Sequence, residues 1–263
     1  MARMKACHLL LTIFAVSAGV RGTSVLSQGR SSAPPKQSIV VKVPFLGCAS
    51  DGQMGSQATP KGKPKAVAIP PLLAQRLAYY KAEYGVGVLA PRGWHCFSIY
   101  GSNGSNLFVS PDLIEAKQLF SGDWKGFSGP IVLLSVSEGG TSGRFDVAKV
   151  VARVFPAYSS FVQGVIAESI NPAGSFPSGP YPKDKLKYRS KNVVEFETPA
   201  YTDGLGTQSR LQKNASPIMG VAMVVEGDMD LLQVSARLLD ADRLLAKAIV
   251  KDVEDEASHA GEH

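Results

Sequence analysis

Cys48 and Cys96 are the two cysteines left in the chain when the N-terminal segment that carries Cys7 is set aside. In an oxidising compartment, an isolated pair of cysteines is most simply a disulfide. Such a bond would close a loop of about fifty residues and stabilise the fold by roughly 4 kcal/mol in the chain-entropy description. Because folded domains are stable by only about 5–15 kcal/mol, this pair would restrict any fold that the chain adopts.

The first residues, MARMKACHLLLTIFAVSAGVRG, have the three parts of a secretory signal. Arg3 and Lys5 form a positive start, residues 6–20 form an apolar run, and small residues that a signal peptidase accepts follow. A buried helix or a membrane anchor is the alternative, but the run is shorter than the roughly 20 residues that span a bilayer. We therefore predict a signal peptide over 1–22 and a periplasmic or secreted protein without a transmembrane segment.

The charge balance limits the classes of partner. Residues 1–22 carry three basic and no acidic side chain, so 25 of the 28 basic side chains remain against 22 acidic ones. Five of those acids lie in the final segment KDVEDEASHAGEH, beside one lysine. The body is therefore moderately basic, which permits attraction to anionic envelope polymers but falls short of a nucleic-acid-binding composition.

The chain divides into four segments. Residues 23–37 are polar and rich in Ser and Pro, which predicts a flexible lead-in after the signal peptide. Residues 38–250 alternate strand and helix patterns, and the segment 251–263 is predicted to be an acidic disordered tail. We predict one α+β domain with a mixed or mainly antiparallel sheet packed by amphipathic helices.

Several elements follow from periodicity. The run PIVLLSV at 130–136 is typical of a central strand that is buried on both faces. Two stretches flanking Gly227-Asp228 predict a hairpin. Two stripes with apolar residues at helical spacing, at 147–155 and 158–166, predict helices separated at Pro156. Further helices are predicted from Pro70-Pro71 through Tyr84, from Pro111 through Phe120, and after a cap at Asp240, with Leu244 on the apolar face of the last.

The triplet Trp94-His95-Cys96 could be taken for an active site. In a strand, however, His95 and Cys96 point to opposite faces, so they are poorly placed as a base and its nucleophile. Besides His95, only His259 and His263 remain after the signal segment, and they lie in the acidic tail. We therefore predict a structural role for the triplet, and neither a metal site nor a cofactor.

Acidic side chains leave a route to hydrolysis open. A glycosidase needs two carboxyl groups about 5–10 Å apart, and Glu195 and Glu197 would share one face of a strand. A solvated strand face is the simpler interpretation of that pair. The glycine-rich segment SEGGTSGR could hold an anion at a helix start, but it lacks the phosphate-loop spacing, and we favour a loop or cap.

Five cations alternate with other residues after a long Pro- and Gly-rich loop: Lys183, Lys185, Lys187, Arg189 and Lys191. In an extended segment they would form a ladder along one edge. Such a ladder could contact phosphate- or carboxylate-bearing polymers, or it could simply protect an edge strand from aggregation. A second candidate binding surface surrounds Arg92, Trp94 and His95, of which only Trp94 or His95 can face a ligand in a regular strand.

Three stretches, CASDGQMG, LAYYKAEYG with VLAPRGWHCFSIYGSNGS, and VEFETPAYTDGLGTQSRL with PIMGVAMVV, resemble a group of uncharacterised secreted bacterial proteins. The resemblance covers most of the chain after the signal segment. It implies a bacterial, extracytoplasmic origin and no particular activity or catalytic residue.

Together these patterns predict an exported protein that binds a cell-envelope component, such as an anionic polymer, or that is structural, without catalysis. The alternative is a hydrolase of envelope polymers that uses paired carboxylates. The sequence leaves open whether the chain is an enzyme.

Overall fold

The computed structural model describes residues 40–208 and 210–260. The predicted signal peptide and lead-in lie outside these residues. The strands are β1 (Val41–Val43), β2 (Phe45–Gly47), β3 (Ala49–Gly52), β4 (Lys65–Val67), β5 (Leu77–Lys81), β6 (Val88–Pro91), β7 (His95–Gly101), β8 (Gly104–Ser110), β9 (Ile131–Ser137), β10 (Lys185–Ser190), β11 (Val193–Thr198), β12 (Ile218–Val225) and β13 (Asp230–Arg237). The helices are α1 (Pro71–Ala74), α2 (Ala116–Leu119), α3 (Arg144–Val154), α4 (Ser159–Ala167) and α5 (Arg243–Ala260).

Eight strands form the main sheet, in the order β10-β11-β12-β13-β9-β8-β7-β3. Every neighbouring pair is antiparallel except β3 and β7, which run parallel. Smaller sheets form from β2, β5 and β6 and from β1 and β4. The predicted α+β class with a mixed, mainly antiparallel sheet is confirmed.

A separate hydrophobic core covers each face of the main sheet. On one face, Val132 and Leu134 of β9 share a core with α5 and the two small sheets. On the other face, Ile131 and Leu133 share a core with α3 and α4. The continuous apolar run of β9 is thus explained by its central position, because a strand covered on both sides has no polar face.

The amphipathic stripes form α3 and α4 as predicted. Val147, Val150, Val151 and Val154 are all buried against the sheet. Pro156 begins a short 3-10 turn between the two helices. The hairpin of β12 and β13 also forms, and Gly227 adopts a positive φ in its turn.

The helix predicted from Pro70-Pro71 is wrong beyond its first turn. It ends at Ala74, and the next residues form β5, which lies parallel to β2 and antiparallel to β6. Leu77 and Tyr80 fit helical spacing, but both are fully buried in this strand. The Tyr80 hydroxyl donates to the Pro91 carbonyl at 2.8 Å, so strand pairing and burial override the local pattern.

Two other helix boundaries differ from the prediction. The helix expected from Pro111 is limited to α2, and Asp240 starts a 3-10 turn instead of capping α5. Leu244, expected on the apolar face of that helix, is 66% exposed.

The last helix also continues past residue 250, where the acidic tail was predicted to begin, and ends at Ala260. Val253 is buried, and the Lys65 ammonium lies 3.0 Å from the Asp252 carboxylate. These contacts hold this part of α5 on the domain.

Candidate functional site

Cys48 and Cys96 form the predicted disulfide, with 5.4 Å between their Cα atoms. Cys48 lies between β2 and β3, and Cys96 lies in β7, so the bond ties the small sheet to the end of the main sheet. A disulfide sulfur is not a free nucleophile. Cys96 therefore has a structural role here.

The three residues of the second predicted binding surface, Arg92, Trp94 and His95, differ in their surroundings. The Trp94 ring packs against the core, and its backbone N–H donates to the Tyr80 hydroxyl at 3.2 Å. Arg92 lies on the turn after β6, and His95 is exposed at the start of β7. Trp94 is thus half-buried and contributes to the core, whereas Arg92 and His95 are exposed to solvent.

The five predicted cations do not form one ladder. Lys185 and Lys187 face β11, where they are registered with Glu197 and Glu195. A bulge between Tyr188 and Ser190 then changes the register. Beyond it, the Lys191 ammonium lies 2.8 Å from the Glu226 carboxylate, and Lys183 is exposed before the strand begins.

Cross-strand ion pairs also reduce the net charge of this edge. The Lys185 ammonium lies 2.9 Å from a Glu197 carboxylate oxygen. Arg189 pairs with Glu195. Opposite charges directly across an antiparallel pair stabilise the sheet, so part of the predicted cationic surface serves the fold.

A groove with a volume of about 890 Å³ runs between this edge and α5. It forms because α5 packs over β12 and β13 and leaves β10 and β11 partly uncovered. Its apolar lining comes from Leu186, Val193, Phe196, Met219 and Val250. Its charged lining comes from Lys185, Lys187, Arg189, Glu195, Glu197, Lys247, Lys251, Glu254 and Asp255.

Two carboxyl groups from different elements meet in the groove. Glu254 of α5 lies beside Glu195 of β11, and the Arg189 guanidinium Nε lies 3.9 Å from a Glu254 oxygen. Burial first, and then the neighbouring Glu195 carboxylate, raise the pKa of Glu254 to about 7, although Arg189 acts in the opposite direction. Glu254 therefore binds a proton at higher pH than a solvent-exposed glutamate does.

Two lysines face the groove from opposite sides. Lys187 extends from β10 and Lys247 from α5. Among the residues that the structure describes, neither lysine has a carboxylate within ion-pair distance, unlike Lys185 and Lys251. These two ammonium groups are thus available to an anion.

The glycine-rich segment after β9 satisfies its own polar groups, in line with the favoured loop or cap. The Gly139 N–H donates to Asp230 at 2.9 Å, and the Gly143 N–H donates to the Thr141 hydroxyl at 3.2 Å. Arg144 makes a multiply hydrogen-bonded ion pair with Glu168. An anion would have to displace these partners.

No cluster of three or more His, Cys, Asp or Glu side chains suited to a metal ion occurs among the described residues. The side chains of His259 and His263 lie outside that part of the structure. Asp184 is placed to stabilise the fold, since it accepts from the Thr198 hydroxyl at 2.7 Å and from the Leu205 N–H at 2.8 Å.

None of the helices described combines the length and the apolar character that crossing a bilayer requires.

Fold and site define an α+β protein with a disulfide and a charged groove between a sheet edge and its last helix. Comparison with protein-family models, with curated proteins and with solved structures finds no match.

Proposed function

We propose that this protein is exported and binds an anionic cell-envelope polymer in the groove between β10, β11 and α5. The observation that carries the proposal is the pair Lys187 and Lys247, which face the groove from opposite sides without an ion-pair partner among the described residues. Because both ammonium groups line one groove, both would attract an anionic group bound there. The groove is open to solvent on one side, which suits part of a polymer more than a small enclosed ligand.

The signal-like N-terminus and the disulfide support a location outside the cytoplasm, in the periplasm or the medium. Cell fractionation followed by N-terminal sequencing tests that part. Full-length protein retained in the cytoplasm, with both thiols free, would refute it.

The binding test compares two double variants of equal charge. K187Q/K247Q removes the two groove cations, whereas K117Q/K125Q removes two exposed lysines on the side of the sheet covered by α3 and α4. The probes are poly-L-glutamate and polyphosphate, with neutral dextran as a control for charge. Polyphosphate separates phosphate-bearing from carboxylate-bearing partners.

We expect K187Q/K247Q to bind the anionic probes about three- to tenfold more weakly at low salt, since exposed ion pairs contribute about 0.2–1 kcal/mol each. K117Q/K125Q should bind like the unaltered protein. Equal losses in the two variants would indicate general charge attraction and sink the groove as the site. Absence of binding to every probe would favour a structural protein.

Hydrolysis of the polymer is the second candidate, and one observation favours it. Glu195 and Glu197 extend from the same face of β11 and both line the groove, and a glycosidase uses two carboxyl groups on one site. Glu254, with a pKa raised to about 7 by burial and by Glu195, could serve as an acid.

Incubation with a purified cell-wall polysaccharide separates the two functions. A hydrolase releases fragments, and E197Q and E254Q should each lower the release at least a hundredfold, because acid–base groups contribute about 10²–10⁴-fold. Retention of the polymer without fragments would leave binding as the function.

A further inference from the structure

The carboxyl pair of the groove lies beside the two lysines proposed to bind the polymer. Glu195 and Glu254 have side chains that are 25% and 17% exposed, so both are largely removed from water. One guanidinium, that of Arg189, contacts both carboxyl groups. The two carboxyl groups thus share one guanidinium, and protonation of one of them would relieve the repulsion between the two.

Other charged groups surround this pair on every element that packs against it. The cations are Lys185 and Lys187 on β10 and Lys247 and Lys251 on α5, and the acids are Glu197 on β11 and Asp255 on α5. Two of these cations are already paired, Lys185 with Glu197 and Lys251 with Asp255. Among the described residues that line the groove, Lys187 and Lys247 have no ion-pair partner and can offset an added negative charge.

An anion held by Lys187 and Lys247 would bring negative charge into the same groove as Glu254. That charge would favour the protonated form of the Glu195–Glu254 pair. Coupling between two binding equilibria is reciprocal, so protonation of the pair must strengthen binding of the anion by the same factor.

We propose that the groove takes up its anionic polymer together with one proton, which the solvent supplies and the Glu195–Glu254 pair holds. This inference rests on the proposed binding function and adds its regulation. Binding is then tight below neutral pH and weak above it. The raised pKa of Glu254, about 7, places the transition where an envelope compartment can cross it.

The test uses poly-L-glutamate, whose carboxylates are ionised between pH 6 and 8. We expect the dissociation constant of the full-length protein to rise at least about fivefold from pH 6 to pH 8, the lower end of usual coupling between sites. E254Q, which mimics the protonated carboxyl, should bind poly-L-glutamate with the same dissociation constant at pH 6 and at pH 8. E115Q, an exposed acid before α2, should retain the pH dependence of the unaltered protein.

Two further measurements separate the inference from the proposed function. Calorimetry in buffers of different ionisation enthalpy should show proton uptake on binding near pH 7, and none with E254Q. Carbon NMR of the free protein should show a Glu254 carboxyl that titrates near pH 7. Binding without pH dependence or proton uptake overturns the proton coupling alone, whereas a Glu254 that titrates near 7 without binding at any pH overturns the binding function and its coupling together.

Discussion

Arg237, at the end of β13, is 1% exposed and is the largest fully buried side chain of the described residues. Its guanidinium donates from Nη1 to the Phe127 carbonyl at 3.1 Å and to the Gly129 carbonyl at 3.4 Å. From Nη2 it donates to the Gln212 carbonyl. One side chain thus ties two loops, around residues 127–129 and 210–212, to the end of the sheet.

The stability effect of Arg237→Met follows from two opposing contributions. Methionine removes these donors from three carbonyl groups. The Phe127 carbonyl still accepts from the Gln212 N–H at 2.9 Å, so two carbonyl groups lose a partner, at about 1–3 kcal/mol for each unsatisfied group. Removal of the charge also relieves a desolvation cost of several kcal/mol, which is visible as a pKa lowered by burial to about 10. The gain offsets part of the loss, and we expect the free energy of unfolding to fall by about 2 kcal/mol.

Urea unfolding of the disulfide-bonded protein measures this difference. With a slope of about 3 kcal/mol per molar urea, the midpoint of R237M should shift downward by about 0.7 M. R237K keeps the charge but cannot reach three carbonyls with one ammonium group, so it should lose a similar amount. R243M removes an exposed arginine near Asp240 and should change the midpoint by less than about 0.2 M.

An R237M protein as stable as the unaltered one would refute this reasoning. It would mean that desolvation of the guanidinium costs as much as its three hydrogen bonds contribute. Arg237 would then be retained for a reason other than stability.

Three other predictions concern the groove, the disulfide and α5. Burial and Glu195 raise the pKa of Glu254 from 4.5 to about 7, so the folded state binds a proton that the unfolded state has released. The stability of the fold should therefore fall as pH rises from about 4.5 through 7. Thermal melts of E254Q should show less of this fall. Replacing Cys48 and Cys96 with serine should lower the free energy of unfolding by about 4 kcal/mol, measured by urea unfolding, and an effect below 1 kcal/mol would contradict a restrictive role for the bond. Truncation after Val250 removes the buried Val253. The melting temperature should then fall by several degrees, since burying a valine contributes about 1.5–3 kcal/mol. An unchanged melting temperature would mean that residues 251–260 do not hold α5 on the domain.

Local patterns predicted the elements that depend on their own residues. The buried run of β9, the stripes of α3 and α4, and the turn at Gly227 each lie within about ten residues, and all were confirmed. β5 was missed because its residues fit helical spacing equally well. Its partners β2 and β6 decide the outcome, and local periodicity does not report them.

The candidate site followed the same division. The cations of β10 were visible as an alternating series, and Glu195 and Glu197 were visible as one strand face. Their mutual pairing depends on the register of β10 with β11. Glu254 was missed because α5 was expected to end at residue 250. The acidic residues around Glu254 favoured the prediction of a disordered tail. The apolar residue Val253 was the sequence signal for a longer helix, and the structure buries it.

The sequence by itself determined the fold class, the disulfide, the central strand and the positions of the charged side chains, since composition, spacing and a count of two cysteines suffice for these. Only the tertiary structure decided which charges neutralise one another and which remain available. That decision depends on distances of a few ångströms between residues far apart in the chain, such as Arg189 and Glu254 at 3.9 Å. Coulomb interactions and desolvation vary steeply over such distances, and for that reason the groove and its shared proton follow from packing and not from the order of residues.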